Sequence, residues 1–399
     1  MPPSVLAVLV AAFVVQCLGW AVVGAGLRRV REAAPEPLAD GARPPSPDLP
    51  VTVVVAAHDE AERLPTLLDA LAAQTHRPFE VVVVDDRSTD RTAQLVTWRA
   101  QDFPVPLRLV RVAEGAPEAA GLPPKKHALE RGAEAAAHAR LAFTDADGHP
   151  GPDWLATLAR WSETPDEATL GADVTTERVR QPDAGALLVG YGPYVHEEGW
   201  LNRFVRYETV QTAALAAAAI GWGRPWHAVG RNLSYPRALL DRLGGFRHSA
   251  ASLSGDDDLL VQEVARRDAA PVRYVWSERA AVPSPAPPTW PAFWRQRRRH
   301  ASAGTHYPAG VLVALGLFHT ANYALWVGAP LLHLAAGVPY GWGLLAGKLL
   351  LQRTVFNDAL DGLGDEPDLR LWHPVLDALS AVYHIVLAVL GLLPTPKRW

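Results

Sequence analysis

The stretch "VVVVDDRSTDRT", residues 81–92, decides the fold. Four consecutive valines run into two aspartates. A β-branched run with no polar alternation belongs in a strand covered on both faces. Paired carboxylates have no place in such a core unless something offsets their desolvation. A strand of this kind therefore ends at an edge where Asp85 and Asp86 meet a ligand, a metal or the start of a helix. The flanking sequence repeats the rhythm. Upstream, "VTVVVAA" (51–57) reads as a strand, and "EAERLPTLLDALAAQ" (60–74) carries Leu64, Leu67, Leu68 and Leu71 on helical spacing. "FEVVVV" (79–84) is the second strand. Downstream, residues 88–101 predict a helix capped by Ser88 or Thr89, "LRLVRV" (107–112) a third strand, residues 125–140 an Ala-rich helix and "RLAFT" (140–144) a fourth strand. Strands alternating with helices give an α/β fold, a mainly parallel sheet with helices on its faces.

In such sheets ligands gather at the carboxyl ends of the strands. The first strand ends in "AHDE" (57–60), the second in Asp85 and Asp86, the fourth in "DAD" (145–147), so acids converge on one rim. There is no G-x-G-x-x-G after the first strand and no G-x-x-x-x-G-K-[ST], which argues against a dinucleotide-binding or P-loop enzyme. Carboxylates repel phosphates and need an intermediary. Mg²⁺ or Mn²⁺ takes one or two carboxylates and keeps sites for phosphate oxygens, and a D-x-D at a strand end suits that use.

The chain of 399 residues has a net charge of −4, which gives no reason to expect nucleic acid as a partner. Its single cysteine, Cys17, excludes an intramolecular disulfide framework and a cysteine metal cluster. Residues 5–27 are almost wholly apolar, long enough to span a bilayer, and Arg28, Arg29 and Arg31 follow at once. A cleaved signal peptide has the reverse order of charge and apolar core. The pattern reads as an uncleaved anchor with its arginine side in the cytosol. A Pro-rich linker follows, within residues 31–50. Residues 311–351 form a second apolar region, interrupted by Pro330 and Pro339, with room for two spans or for one span and a re-entrant piece; residues 375–393 form a third. "FWRQRRRH" (293–300) suits an interfacial helix with Phe293 and Trp294 at headgroup level, or a positive-inside flank. Trp222, Trp226 and His227 read as packing.

The segments "VVVAAHDEAERL", "VVVVDDRSTDRT", "KKHALERG", "FTDADGHPGPDWL", "VGRNLSYPRALLDRLGGF", "SGDDDLL" and "QRRRHAS" occur in the order seen in membrane-bound family-2 glycosyltransferases, which the chain resembles over residues 51–302. The resemblance implies the GT-A nucleotide-sugar-binding fold for residues 51–303, between an anchor (1–30) and a C-terminal membrane region (304–399) of two or three apolar segments. It implies an inverting glycosyltransferase of the inner cell membrane, with its catalytic domain in the cytosol. Such an enzyme moves sugar from a nucleotide-diphosphate donor to a lipid or glycan acceptor with Mg²⁺ or Mn²⁺. By position, Asp59 or Glu60, with Asp86, would line the base and ribose pocket. Lys125 would contact donor, although Pro124 stands where glycine is usual. Asp145 and Asp147 would hold metal. The acid-acid-x-x-Leu spacing before Leu260 makes Asp257 the expected base and Asp256 the second choice. Gln296 and Arg299 match the family's Gln-x-x-Arg-Trp element, with His300 where tryptophan is usual. Two other readings share parts of this pattern: a nucleotidyltransferase, which usually carries a glycine-rich loop after its first strand, and a catalytically inactive membrane-tethered binding protein, which should have lost the acidic rim that this chain keeps.

Overall fold

The fold is that of a computed structural model, which describes residues 3–35, 48–163 and 185–391. In chain order the helices are α1 (Pro3–Glu32), α2 (Leu64–Ala72), α3 (Thr92–Arg99), α4 (Ala116–Ala120), α5 (Pro124–Ala135), α6 (Trp154–Glu163), α7 (Trp200–Gly221), α8 (Arg237–Leu243), α9 (Asp258–Arg266), α10 (Trp290–Gly304), α11 (Ala309–Ala336), α12 (Tyr340–Leu363) and α13 (Pro367–Gly391). The strands are β1 (Val51–Ala57), β2 (Phe79–Asp85), β3 (Leu107–Arg111), β4 (Arg140–Phe143), β5 (Leu187–Val189), β6 (Leu233–Pro236) and β7 (Val272–Tyr274). The chain forms two compact units: one of Arg29–Val195 with Ile220–Pro285, the other of Met1–Arg28, His196–Ala219 and Ala286–Trp399.

The first unit is built on a seven-stranded sheet in the order β3-β2-β1-β4-β6-β5-β7. β1 pairs in parallel with β2 and β4, and β2 with β3; β6 alone runs against its neighbours β4 and β5. The valine runs work as their pattern predicts, because alternate residues serve opposite faces. Val53, Val55, Val81 and Val83 pack in one core with Leu64, Leu67, Leu68 and Leu71 of α2, all without solvent exposure. Val82 and Val84 pack on the other face with Ala128 of α5. A fully buried valine or leucine contributes about 1.5–3 kcal/mol relative to an exposed one, so these two layers fix the sheet. Gly132 lets α5 lie close to β1: a Cβ there would stand 2.3 Å from Val54 Cγ1.

Two expected boundaries shift. α3 starts at Thr92, with Arg91 rather than Ser88 or Thr89 at the cap position. Ser88 and Thr89 are engaged elsewhere: the Asp59 amide donates to Ser88 Oγ at 3.0 Å, and the Thr89 amide to Asp59 Oδ1 at 2.7 Å. These bonds tie the loops after β1 and β2 together and delay the helix. α5 stops at Ala135 instead of running to Arg140. The His138 amide turns to Thr52 Oγ1 at 3.2 Å, and Arg140 opens β4.

The second unit is helical. Among the described residues, three helices are long and apolar enough to cross a membrane: Val5–Glu32, Ala309–Ala336 and Pro367–Leu390. Pro330 lies inside α11 without ending it, whereas Pro339 separates α11 from α12. Phe293 of α10 is fully buried; its ring meets Phe204 of α7 at 6.0 Å and Tyr383 of α13 at 5.7 Å. At the centre lies Asp377 of α13, without solvent exposure. It accepts from Trp326 Nε1 at 2.7 Å and Asn322 Nδ2 at 3.3 Å on α11, from Gln352 Nε2 at 2.8 Å on α12, and from the Lys348 ammonium. A buried carboxylate persists only when its charge and lone pairs are answered in this way.

Candidate active site

The register of the sheet makes the acidic rim. Ala57 of β1 lies beside Asp85 of β2, so the two strands end level, and the Asp86 amide donates to Ala57 O at 2.8 Å. β4 enters the rim next to them, where the Thr144 amide donates to Val54 O at 3.4 Å, and Asp145–Ala146–Asp147 follow. Ala146 is buried between the two aspartates, which are partly exposed.

The acids do different work. Asp59, at φ 55°, accepts from the Thr89 and Asp90 amides at 2.7 and 3.2 Å, and the Thr89 amide above all holds its carboxyl below the usual range. It braces the loops. Glu60 is half-buried, and desolvation raises its carboxyl; the charges of Asp147 and Asp145 act in the same direction against the pull of Arg63. Of the pair, Glu60 is therefore the one electrically joined to the D-x-D. Asp85 is buried and caps the turn, accepting from the Ser88 amide at 3.1 Å. Asp86 is buried and pairs with Arg87 Nε at 2.9 Å, Arg87 itself sitting at φ 61°.

Lys125, in the first turn of α5, joins two distant motifs. Its Nζ lies 3.1 Å from Asp145 Oδ1 and 2.9 Å from Asp256 Oδ2. Burial alone would lower its pKa, but Asp145, Asp256 and Asp257 outweigh that and raise it. Asp256 is buried and, despite desolvation, is held low by Lys125. Asp257 keeps partial solvent access. It stands at the N-cap of α9 and accepts from the Asp258 and Gly230 amides, each at 2.8 Å. Desolvation first, then the charges of Asp258 and Asp256, push it up to about 7. Asp258 is buried, accepting from the Ala228 amide at 2.9 Å and lying 2.8 Å from His227 Nδ1. Three consecutive aspartates thus have three separate sets of partners, and His227 pairs with one of them instead of only packing.

The segment 227–231 passes over these acids. Gly230 allows the approach: a Cβ there would lie 3.2 Å from both Asp256 Oδ2 and Asp257 Oδ2. Arg231 donates to Val282 O at 3.4 Å and Pro193 O at 3.3 Å, and its charge opposes the rise of the Asp147 carboxyl. Gly230 and Arg231 carry no role in the sequence reading, where "VGRN" was the signal available; His227 reads there as packing and Lys126 only as part of a helix start. Gln296 and Arg299 lie on α10 in the helical unit, Gln296 half-buried and Arg299 exposed.

The D-x-D fits a hard divalent cation. Asp147 is raised first by burial and next by the charge of Asp145, with Arg231 and Arg63 opposing, so a cation between the two carboxylates would relieve their repulsion. Two carboxylates are also the usual protein share of a Mg²⁺ or Mn²⁺ shell completed by phosphates and water. Elsewhere among the described residues, His196, Glu366 and Asp368 bring ligand atoms within 4.8 Å of one another. Arg206 already pairs with both carboxylates there, and Arg203 with Asp368 at 3.0 Å.

A mainly parallel sheet with one reversed strand, covered by helices and ending in a D-x-D, defines the GT-A class. The model for Glycosyl transferase family 2 matches residues 52–183, and that for Glycosyl transferase family group 2 matches residues 142–355. The chain belongs to the family-2 glycosyl transferases, a family of enzymes. The mannosyltransferase PcManGT from Pyrobaculum calidifontis, solved with GDP-Man and Mn²⁺, has a similar fold at TM-score 0.54 and 22% identity, over 96% of this chain and 99% of that one. At that identity the likeness speaks for the fold alone. Undecaprenyl-phosphate 4-deoxy-4-formamido-L-arabinose transferase of Pectobacterium carotovorum is 42% identical over 55 residues, 13% of this chain and 17% of that protein. The uncharacterized glycosyltransferase YibD of Escherichia coli is 26% identical over 108 residues, 27% of this chain and 29% of that protein. These matches span less than a third of either relative.

Proposed function

We propose that the protein transfers a sugar, with inversion, from a nucleotide-diphosphate sugar to a membrane-associated lipid or glycan acceptor. The observation that carries this is Lys125, whose ammonium links Asp145 of the D-x-D to Asp256 beside the proposed base. A donor-binding edge and a proton acceptor are thereby parts of one constellation. In the proposed reaction the acceptor hydroxyl attacks the anomeric carbon and gives its proton to Asp257. The bond from that carbon to the diphosphate oxygen breaks, and the nucleoside diphosphate leaves with the electron pair. Asp257 suits the role because it is the most exposed of residues 256–258, and its carboxyl is raised toward neutrality. Asp145 and Asp147 would hold Mg²⁺ or Mn²⁺, which when bound would neutralise charge on the leaving diphosphate. Glu60 and Asp86 serve the nucleoside end, and Gln296 and Arg299 the diphosphate, the guanidinium fork matching phosphate oxygens. The catalytic body is assigned to residues 51–303.

The membrane-associated acceptor is supported by the three apolar helices and by the undecaprenyl-phosphate in the name of the Pectobacterium relative. The test is release of nucleoside diphosphate by purified protein in detergent from a panel of nucleotide sugars with Mn²⁺. Turnover is expected with at least one donor, ceasing when a chelator removes divalent ions and falling with Asp147→Ala. Full turnover in excess chelator overturns the metal-dependent reading.

A further inference from the structure

Two consecutive lysines open α5, where the helix dipole disfavours cations. Helix stability does not explain them. Neighbours on a helix point about 100° apart, and the pair reaches two different targets. Lys125 goes to the carboxylates. Lys126 has no solvent exposure, and its Nζ donates to three backbone carbonyls: Ser249 at 2.6 Å, Ser252 at 2.9 Å and Ser254 at 3.0 Å. An ammonium has three protons and no acceptor site, so these carbonyls use it completely. A neutral amine would leave one carbonyl without a donor. The loop they belong to runs through Gly255, at φ 84°, directly into Asp256 and Asp257. A Cβ on Gly255 would stand 2.7 Å from Leu259 Cγ, so the turn from loop to α9 has little slack.

We infer that Lys126 is a positioning residue for sugar transfer: its ammonium gathers the 249–254 loop and thereby sets where the base at Asp257 stands. This rests on Asp257 being the base, as proposed above. The lysine need not touch donor or acceptor. A misplacement of about 1 Å far from the chemistry can cost on the order of 10²-fold in rate, so a loop drawn to one buried charge is enough to matter.

The charge that does this is conditional. Burial lowers the pKa of Lys126 to about 8; Lys125 pushes the same way, and Asp256 and Asp257 oppose. His248 also lies within its field. Since the folded value is depressed, the third of these hydrogen bonds is held while pH lies below about 8 and is lost as pH rises through it, which loosens the loop.

The test compares wild type with Lys126→Met and Lys126→Gln, using the donor and acceptor that wild type turns over. Both variants are expected to lose about 10- to 100-fold in kcat, with the Kd for nucleoside diphosphate in Mn²⁺ nearly unchanged. The wild-type advantage should narrow as pH passes through about 8. A general folding lesion would depress kcat and diphosphate binding together and equally at every pH. An unchanged kcat, parallel losses, or a pH-independent ratio overturns the inference. Hydrogen exchange on the wild type, corrected for intrinsic rates, is the measurement that needs no variant and no turnover. Amides of 249–255 should lose protection between pH 7 and 9 while those of β1 and β2 do not; equal protection at both values also overturns it. Absence of turnover with every donor would instead count against the glycosyl-transfer reading, and the exchange data would still decide the role of Lys126.

Discussion

Asp257 accepts one amide hydrogen bond from its own helix and one from Gly230, and yet is the most exposed of residues 256–258. If it is the base, only its ionised form accepts a proton, so kcat should rise as pH climbs through about 7 and fall away below it. Asp257→Asn keeps the size but cannot take the proton. It should lower kcat by on the order of 10²-fold or more and remove that acid limb, with little effect on diphosphate binding. Asp256→Asn is the control, since Asp256 is bound to Lys125 at 2.9 Å and should act through donor affinity. A dead Asp256→Asn beside a fully active Asp257→Asn would move the base by one residue. Sequence spacing alone left these two open. Their difference comes from partners far away in the chain, Lys125 for one and Gly230 for the other, which no local pattern contains. Lys126 was hidden for the same reason: its acceptors lie 123, 126 and 128 residues away.

At the scale of elements, what repeats locally was legible. β1 was read at its observed limits because seven residues alternate between two cores with nothing polar but Thr52, whose hydroxyl donates to Glu80 at 2.7 Å. α2 was legible from four leucines on one face. β5 and β7 were not, being three residues each, too short to show a period and held by their neighbours in the sheet. The start of α3 was misread because Ser88 and Thr89 are good caps locally but bond to Asp59 across the loops. α1 carries a prediction of its own. It is apolar over most of its length and ends with Arg29 and Arg31 in its last turn, and a positive flank stays on the cytosolic side. A reporter joined after residue 31 should behave as cytosolic. Export of that reporter would separate the acidic rim from cytosolic nucleotide sugars and defeat the proposed localisation.

On the scale of the whole molecule, both units bury charges with their partners, and they differ in where those charges lie. The first presents its acids at an edge. The second buries Asp377 and Lys348 together with no solvent exposure and surrounds them with Trp326, Asn322 and Gln352. That arrangement bears on how the protein is made. α12 carries Lys348 and is not among the helices apolar enough to cross a membrane unaided. A lone lysine at mid-bilayer costs about 2.5–3.5 kcal/mol on the insertion scale. Its partner lies 29 residues further along and, at about 5–20 residues per second of synthesis, emerges roughly 1.5–6 s later. α12 should therefore wait beside the translocon and enter lipid only as a hairpin with α13. Nascent chains stopped after residue 365 should leave α12 open to protease, while chains continued through α13 protect it. Equal protection of both would mean that α12 integrates alone, and that the buried ion pair forms after insertion instead of directing it.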